Sequence, residues 1–323
     1  MVTKLGRRLV RSVAIAAVLV AALAACGNDD DGGSGNQQLS GSIAIDGSST
    51  VAPLTEVAAE LFNEQQSGVQ ISVGTSGTGG GFEKFCAGET DISDASRAIE
   101  DDEKATCQTG GVNYEEFTIA NDALTVVVNK ENTWAQCLTV DQLKKIWEPA
   151  AEGKITNWNQ VDPSFPDQTL DLYGPGTDSG TFDYFTAEIN GEEGASRTDY
   201  QPSEDDNVIA SGVGGSKGGL GYFGLSYFEE NQGTLNAVQV DGGSGCVAPS
   251  VETAQDGSYT PLSRPLYIYP KMAALQRPEV LAFVEYYVQN AEQIAQEAGF
   301  VPLNAQQKSE LQSALDRLKS ASS

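Results

Sequence analysis

Apolar and polar positions alternate over residues 42–46, with Ile43 and Ile45 on one side, as a half-buried strand requires. After Gly47-Ser48-Ser49-Thr50 the period changes. Pro53 opens a stretch in which Leu54, Val57, Ala58, Leu61 and Phe62 recur at helical spacing, with Ser or Thr near the N-cap and proline in the first turn. A second alternation, Val69, Ile71 and Val73, runs into Gly74-Thr75-Ser76-Gly77-Thr78-Gly79-Gly80-Gly81 before Phe82 and Phe85. Strand, helix and strand over this distance predict a right-handed crossover between parallel strands. Both Gly/Ser/Thr loops then fall at the carboxyl edge of one sheet, where α/β folds take their ligands.

The pattern returns downstream. Leu170 and Leu172 alternate before Gly174-Pro175-Gly176-Thr177-Asp178-Ser179-Gly180-Thr181, after which Phe182, Phe185, Thr186 and Ile189 mark a helix face. Between and beyond these motifs, Leu138, Leu143, Ile146 and Trp147 predict a helix, and residues 219–224 a buried strand and turn. Residues 280–298 and 307–319 predict terminal helices whose apolar spacing fits core faces and assigns them no binding role. Trp134, Trp147 and Trp158 read as packing residues, and no short internal repeat is apparent.

The first residues change the picture of where the chain works. Lys4, Arg7, Arg8 and Arg11 precede an apolar run over residues 13–25, the form of a secretory leader and shorter than the roughly 20 residues a membrane span needs. The run ends in Leu23-Ala24-Ala25-Cys26, which resembles a bacterial lipobox, with Cys26 as lipid anchor and first residue of the processed chain. Residues 26–40 are rich in Gly, Asp, Asn and Ser, the composition of a flexible tether. Four further cysteines, Cys86, Cys107, Cys137 and Cys246, suggest two disulfides in an oxidising extracytoplasmic compartment, with three pairings open.

Composition then narrows the chemistry. Among 323 residues, 45 Asp and Glu face 19 Lys and Arg, a formal net charge of −26. Loss of residues 1–25, with their four positive and no negative charges, moves it to −30. Nucleic acid, which needs clustered cations, is excluded as a partner on this ground. The chain has no histidine, so the usual general base, the usual zinc ligand and every Ser-His-Asp or Cys-His arrangement are missing, and neither metal nor cofactor is expected.

The Gly/Ser/Thr loops describe an anion site instead. A helix N-terminus offers unpaired amides and the positive end of its dipole, glycine admits close backbone approach, and Ser and Thr hydroxyls add donors. Asp94, in Asp91-Ile92-Ser93-Asp94-Ala95-Ser96-Arg97, supplies a carboxylate that can accept a hydrogen bond from a protonated oxyanion such as hydrogen phosphate and would reject sulfate, which has no proton to offer.

Residues 46–53 (DGSSTVAP), 74–82 (GTSGTGGGF), 92–97 (ISDASR) and 178–182 (DSGTF), with 155–159 (ITNWN) and 262–269 (LSRPLYIY), make the chain resemble the phosphate-binding lipoproteins of the PstS type, the solute receptors of phosphate ABC transporters. The resemblance runs in order from Ile43 to about Leu318. It implies a type II periplasmic-binding-protein clamp: two α/β lobes joined by two crossover strands, closing over one dehydrated phosphate. By its motifs, phosphate is expected to meet Ser49, Thr50, Ser76 and Asp94 on lobe one and Ser179, Gly180 and Thr181 on lobe two. The family's better-known members carry an arginine four residues before the serine of Ser-Gly-Thr, where this chain has Pro175. A desolvated phosphate calls for a guanidinium, so Arg197, in Ala195-Ser196-Arg197-Thr198-Asp199-Tyr200, is expected to substitute, with Arg97 as second candidate. Either could equally be a surface ion pair in so acidic a chain.

Lobe one is expected to take residues 41–125 and 262–323, and lobe two residues 126–261, with crossings near 114–129 and 261–271. Cys86 with Cys107 and Cys137 with Cys246 is the favoured pairing, each pair then lying inside one lobe. The expected protein is a monomeric, non-catalytic, lipid-anchored receptor that hands phosphate to a membrane permease. The competing readings are a receptor for another tetrahedral oxyanion such as arsenate, and a phosphatase or serine hydrolase using Ser76 or Ser179.

Overall fold

The computed structural model describes residues 38–177 and 179–322. The expected leader, Cys26, the tether up to residue 37 and Asp178 lie outside the described residues. The strands are β1 (Ser40–Gly47), β2 (Gly68–Gly74), β3 (Ile92–Ala95), β4 (Phe117–Asn129), β5 (Cys137–Thr139), β6 (Asp171–Gly174), β7 (Gln201–Pro202), β8 (Gly219–Gly224), β9 (Leu235–Ala237), β10 (Gln239–Asp241), β11 (Cys246–Val247) and β12 (Ser263–Pro270). The helices are α1 (Ala52–Gln65), α2 (Gly77–Cys86), α3 (Asp101–Thr109), α4 (Val140–Trp147), α5 (Trp158–Val161), α6 (Gly180–Phe185), α7 (Asp206–Gly215), α8 (Leu225–Asn231), α9 (Val251–Gln255), α10 (Pro278–Gln289), α11 (Ala291–Glu297) and α12 (Ala305–Ser322).

The main sheet runs β2-β1-β3-β12-β4-β8-β6-β7, with β9 added on β4. β1 pairs in parallel with β2, from Ser40↔Gly68 to Asp46↔Gly74, and with β3 through Gly47↔Asp94. The chain therefore winds to one side of β1 for β2 and to the other for β3. The loops after β1, β2 and β3 open on the same edge at this switch point, as the alternation of periods predicted.

Two strands carry the chain between two hydrophobic cores. One core gathers residues from Ile43 to Ala120 and again from Leu266 to Leu318, and the other runs from Leu124 to Leu262. β4 leads out and β12 returns, paired antiparallel from Ser263↔Ala123 to Ile268↔Phe117. These are the two α/β lobes and two crossover strands of the expected clamp.

In lobe one, α1 and the terminal helices cover one face of the sheet, burying Leu54, Phe62, Phe283 and Tyr287. α2 and α3 cover the other, with Phe82 and Phe85 buried beside Ile99 of the loop before α3, pinned by the Cys86–Cys107 disulfide. In lobe two, Trp147 and Trp158 are fully buried, and Phe185 stacks on Tyr222 with ring centroids 3.8 Å apart. A small sheet β11-β10-β5 is closed by Cys137–Cys246. The structure thus selects the favoured cysteine pairing.

Two local departures from simple periodicity have side-chain causes. The apolar face over 280–298 belongs to two helices, because Asn290 leaves helical geometry and its Nδ2 donates to the Tyr286 carbonyl at 2.7 Å. After α6 the turn widens to a π-helical stretch, Thr186–Asn190, where the Thr186 hydroxyl donates to the carbonyls of Phe182 and Asp183.

Candidate functional site

The loop after β1 is set by contact with β3. A Cβ at Gly47 would stand 2.0 Å from the Asp94 carbonyl oxygen, so only glycine fits, and the next amide, Ser48, donates to that oxygen at 2.9 Å. The chain then turns into α1, with the Val51 and Ala52 amides on the Ser48 carbonyl and the Thr50 amide on Ser48 Oγ. Ser49 and Thr50 are left with their hydroxyls facing lobe two. Ser49 Oγ donates to Asp183 Oδ2 and Thr50 Oγ1 to the Gly180 carbonyl, each at 3.4 Å.

The loop after β2 holds Ser76 at the N-terminus of α2, where its amide and hydroxyl both donate to Asp46 Oδ1. Lys84 reaches the other oxygen of Asp46 at 2.6 Å. Burial would raise the Asp46 pKa, but the hydrogen bonds from Lys84 and Ser76 outweigh it and hold the carboxyl below the ordinary range. Thr78 and Ser96 share a hydroxyl contact at 3.1 Å, which ties α2 to the loop after β3.

Asp94 sits in β3 with no exposure, and neither carboxyl oxygen has a hydrogen-bond partner among the described residues. Burial, with a smaller push from the Asp46 charge and against the nearby Thr55 hydroxyl, raises its pKa from 3.8 to about 7. A buried, unpaired carboxyl is costly and therefore informative.

Across the cleft, Ser179 caps α6, its Oγ accepting from the Thr181 amide at 3.2 Å. Gly180 lies so close to Thr50 that a Cβ there would be 2.9 Å from Thr50 Oγ1 and 3.0 Å from its amide nitrogen. The two predicted loops thus meet.

The arginines fall out differently from expectation. Arg197 is buried, bound to Asp199 through Nε and Nη2 and to the carbonyls of Ile146 and Ile155 through Nη1. That pairing pulls the Asp199 carboxyl down to about 2, and Arg197 is not among the residues lining the cleft. Arg97 does line it, with its guanidinium doubly bound to Glu103 at 2.8 Å. The cation placed at the junction of the lobes is Arg264, which the sequence reading passed over. It stands on β12 opposite Asp122 on β4, pairs with that carboxylate at 3.4 Å, donates to Thr50 Oγ1 at 3.0 Å, and lies over the Tyr184 ring at 3.4 Å. The available signal was an arginine inside the alternating apolar run 262–269.

The cleft between these groups has a volume of about 590 Å³. Ser48, Ser49, Thr50, Ser76 and Thr78 line it from lobe one, and Asp183, Tyr184, Glu188 and Glu193 from lobe two, with Arg264 at its base. Burial raises the pKa of Asp183 and Glu188, against the pull of the Arg264 charge. Among the described residues, no three His, Cys, Asp or Glu side chains are placed to hold a metal ion, and no helix is long and apolar enough to cross a membrane.

Comparison with known proteins places this geometry. Residues 32–291 match the PBP superfamily domain. Protein SphX of Synechocystis sp. is 49% identical over 297 residues, covering 92% of this chain and 86% of that protein. The phosphate-binding protein PstS of Staphylococcus epidermidis is 40% identical over 299 residues, covering 92% and 89%. The crystal structure of a possible phosphate-binding protein from Planctomyces limnophilus superposes with a TM-score of 0.82 at 43% identity, covering 87% of this chain and 99% of that one. With its two lobes, two crossover strands and paired hydroxyl loops, the chain belongs to the PBP superfamily and, within it, to the solute-receptor family of SphX and PstS.

Proposed function

We propose that the protein binds inorganic phosphate between its lobes, outside the cytoplasmic membrane, and delivers it to the permease of an ABC transporter. The observation that carries the reading is Arg264, held on a crossover strand between the Thr50 hydroxyl and the Tyr184 ring, where the loops before α1 and α6 face each other. A guanidinium there gives charge-assisted donors to a dehydrated oxyanion, and the hydroxyls of Ser49, Thr50, Ser76, Ser179 and Thr181 with the amides of the α6 N-terminus complete its shell. Ionised Asp94 accepts a hydrogen bond from the protonated oxygen of hydrogen phosphate. Arg264 takes the place expected of Arg197 or Arg97: Arg197 is bound to Asp199 away from the cleft and Arg97 holds Glu103 through two bonds at 2.8 Å, whereas Arg264 meets Asp122 through Nε at 3.4 Å and keeps Nη2 on the Thr50 hydroxyl.

Lobe one (41–125 and 262–323) and lobe two (126–261) close as bodies about β4 and β12, and the closed monomer docks on the permease. The lipobox-like run before Cys26 supports a lipid anchor on that residue, with the body held outside the membrane. The names of the relatives favour phosphate over other tetrahedral oxyanions, arsenate being the nearest competitor. Hydrolysis finds little support. Asp46, the carboxylate that Ser76 meets, has a lowered pKa and is a poor base, and Ser179 Oγ is engaged as a helix cap.

Phosphate titration of Arg264→Gln tests the reading. Loss of the charge-assisted bonds is expected to weaken binding by about 2 kcal/mol, roughly 30-fold, without turnover of a phosphomonoester by either protein. Unchanged affinity in this variant, or serine-dependent turnover, would overturn it.

A further inference from the structure

The terminal helix α10 has a polar group where its apolar spacing predicts only packing. Tyr287 is 1% exposed, and its hydroxyl lies 3.2 Å from Thr55 Oγ1, itself fully buried on α1. Thr55 in turn stands beside the Asp94 carboxyl, near enough to lower its pKa although neither Asp94 oxygen has a fully formed hydrogen bond. Side chains from α10, α1 and β3 are therefore neighbours in turn, ending at Asp94, whose carbonyl holds the amide of the cleft-lining Ser48, inside a core of Leu54, Ile92, Phe283 and Val284.

We infer that Tyr287 and Thr55 are positioning residues that set the protonation state of Asp94, and through it the pH range in which the cleft takes phosphate. The inference rests on the reading of Asp94 as hydrogen-bond acceptor for the protonated phosphate. A threonine hydroxyl has one proton and accepts through its lone pairs. When Tyr287 donates to Thr55, Thr55 is free to donate to an ionised Asp94, and the chain favours the form that can accept a hydrogen bond from a protonated ligand. When Asp94 is protonated, the chain reverses and the tyrosine oxygen becomes the final acceptor. The other charge acting on Asp94 is Asp46 from β1, which opposes ionisation and is itself neutralised by Lys84 from α2. Tyr287 feels Asp94 in return, its own ionisation suppressed by burial and by that neighbouring charge. The pair thus offsets part of the burial that pushes Asp94 toward its neutral form.

The test is phosphate affinity by calorimetry from pH 5 to 9 in the wild type, Tyr287→Phe, Thr55→Val and Asp94→Asn, with thermal melts as a check on folding. Removing a donor from the chain is expected to move the midpoint of the affinity rise up by roughly one pH unit, so that binding at pH 7 weakens about fivefold and recovers by pH 9. Asp94→Asn is expected to lose the Asp94-dependent rise altogether, leaving only the ionisation of phosphate common to all four proteins. If Asp94→Asn keeps the wild-type profile, the acceptor reading falls and this inference with it. If Asp94→Asn flattens the profile while Tyr287→Phe and Thr55→Val keep the wild-type midpoint, or lose affinity equally at every pH, the acceptor reading stands and the inference is overturned. Should Tyr287→Phe not fold, Thr55→Val alone decides, since valine keeps the shape and removes the hydroxyl.

Discussion

Asp94 concentrates the problem this fold has to manage, a carboxyl with no exposure and no formed hydrogen bond. Its pKa is raised in the folded state, so the folded protein holds more protons than the unfolded chain between about pH 4 and 7. Stability from this group is full below its unfolded value and is lost as pH rises through about 7, a loss on the order of 4 kcal/mol. Phosphate-free wild type is therefore expected to lose more thermal stability than Asp94→Asn between pH 5 and pH 8, as followed by calorimetric melting. Parallel losses would show that the carboxyl is not strained by burial. Ser49, Thr50 and Ser76 were legible because each follows a strand of recognisable period, and Asp94 through the motif of residues 91–97. Arg264 was not. Its partners Asp122, Thr50 and Tyr184 are 142, 214 and 80 residues away in sequence, and only the pairing of β4 with β12 brings the first of them opposite. Arg197 misled because in so acidic a chain the sequence does not show which arginine already holds a carboxylate.

At the scale of elements, the α6 N-terminus is where lobe two packs directly against the loop before α1. Gly180 has ordinary backbone angles, so its need for glycine comes from Thr50 alone, whose atoms crowd the missing Cβ. Gly180→Ala is expected to leave the melting temperature of the phosphate-free protein nearly unchanged while weakening phosphate binding by about 1 to 3 kcal/mol, the cost of overpacking a closed contact. Titration and melting of the same variant check both halves. Equal affinity would mean that Thr50 and Gly180 do not meet in the bound form. Strand and helix periods made β1, α1, β2 and α6 readable in advance. The break at Asn290 and the wide turn at Thr186 were hidden, because each depends on a side chain bonding to the backbone of its own helix.

For the whole molecule, a net charge of −26 and an anion site are compatible because they act over different distances. Diffuse repulsion is screened beyond about 8 to 10 Å at physiological salt, while the ligand is governed by groups within hydrogen-bond reach. The acidic surface slows the approach of an anion, so phosphate association is expected to quicken with added salt while dissociation changes little, a trend stopped-flow kinetics would read. Association that slows with salt would point to net attraction at the cleft. The two lobes were legible through the order of the motifs, whereas the antiparallel pairing of β4 with β12, which sets the two crossover strands side by side, emerges only in the structure.

The proposed clamp holds a protonated tetrahedral oxyanion between the lobes, with Asp94 accepting its hydrogen bond. Calorimetry of the purified protein and of Asp94→Asn with phosphate and with sulfate at pH 8 tests it most directly. One phosphate per chain is expected for the wild type, with no measurable sulfate binding and a narrowed preference in the variant. Sulfate binding as tight as phosphate in the wild type, or an unchanged preference in Asp94→Asn, would contradict it.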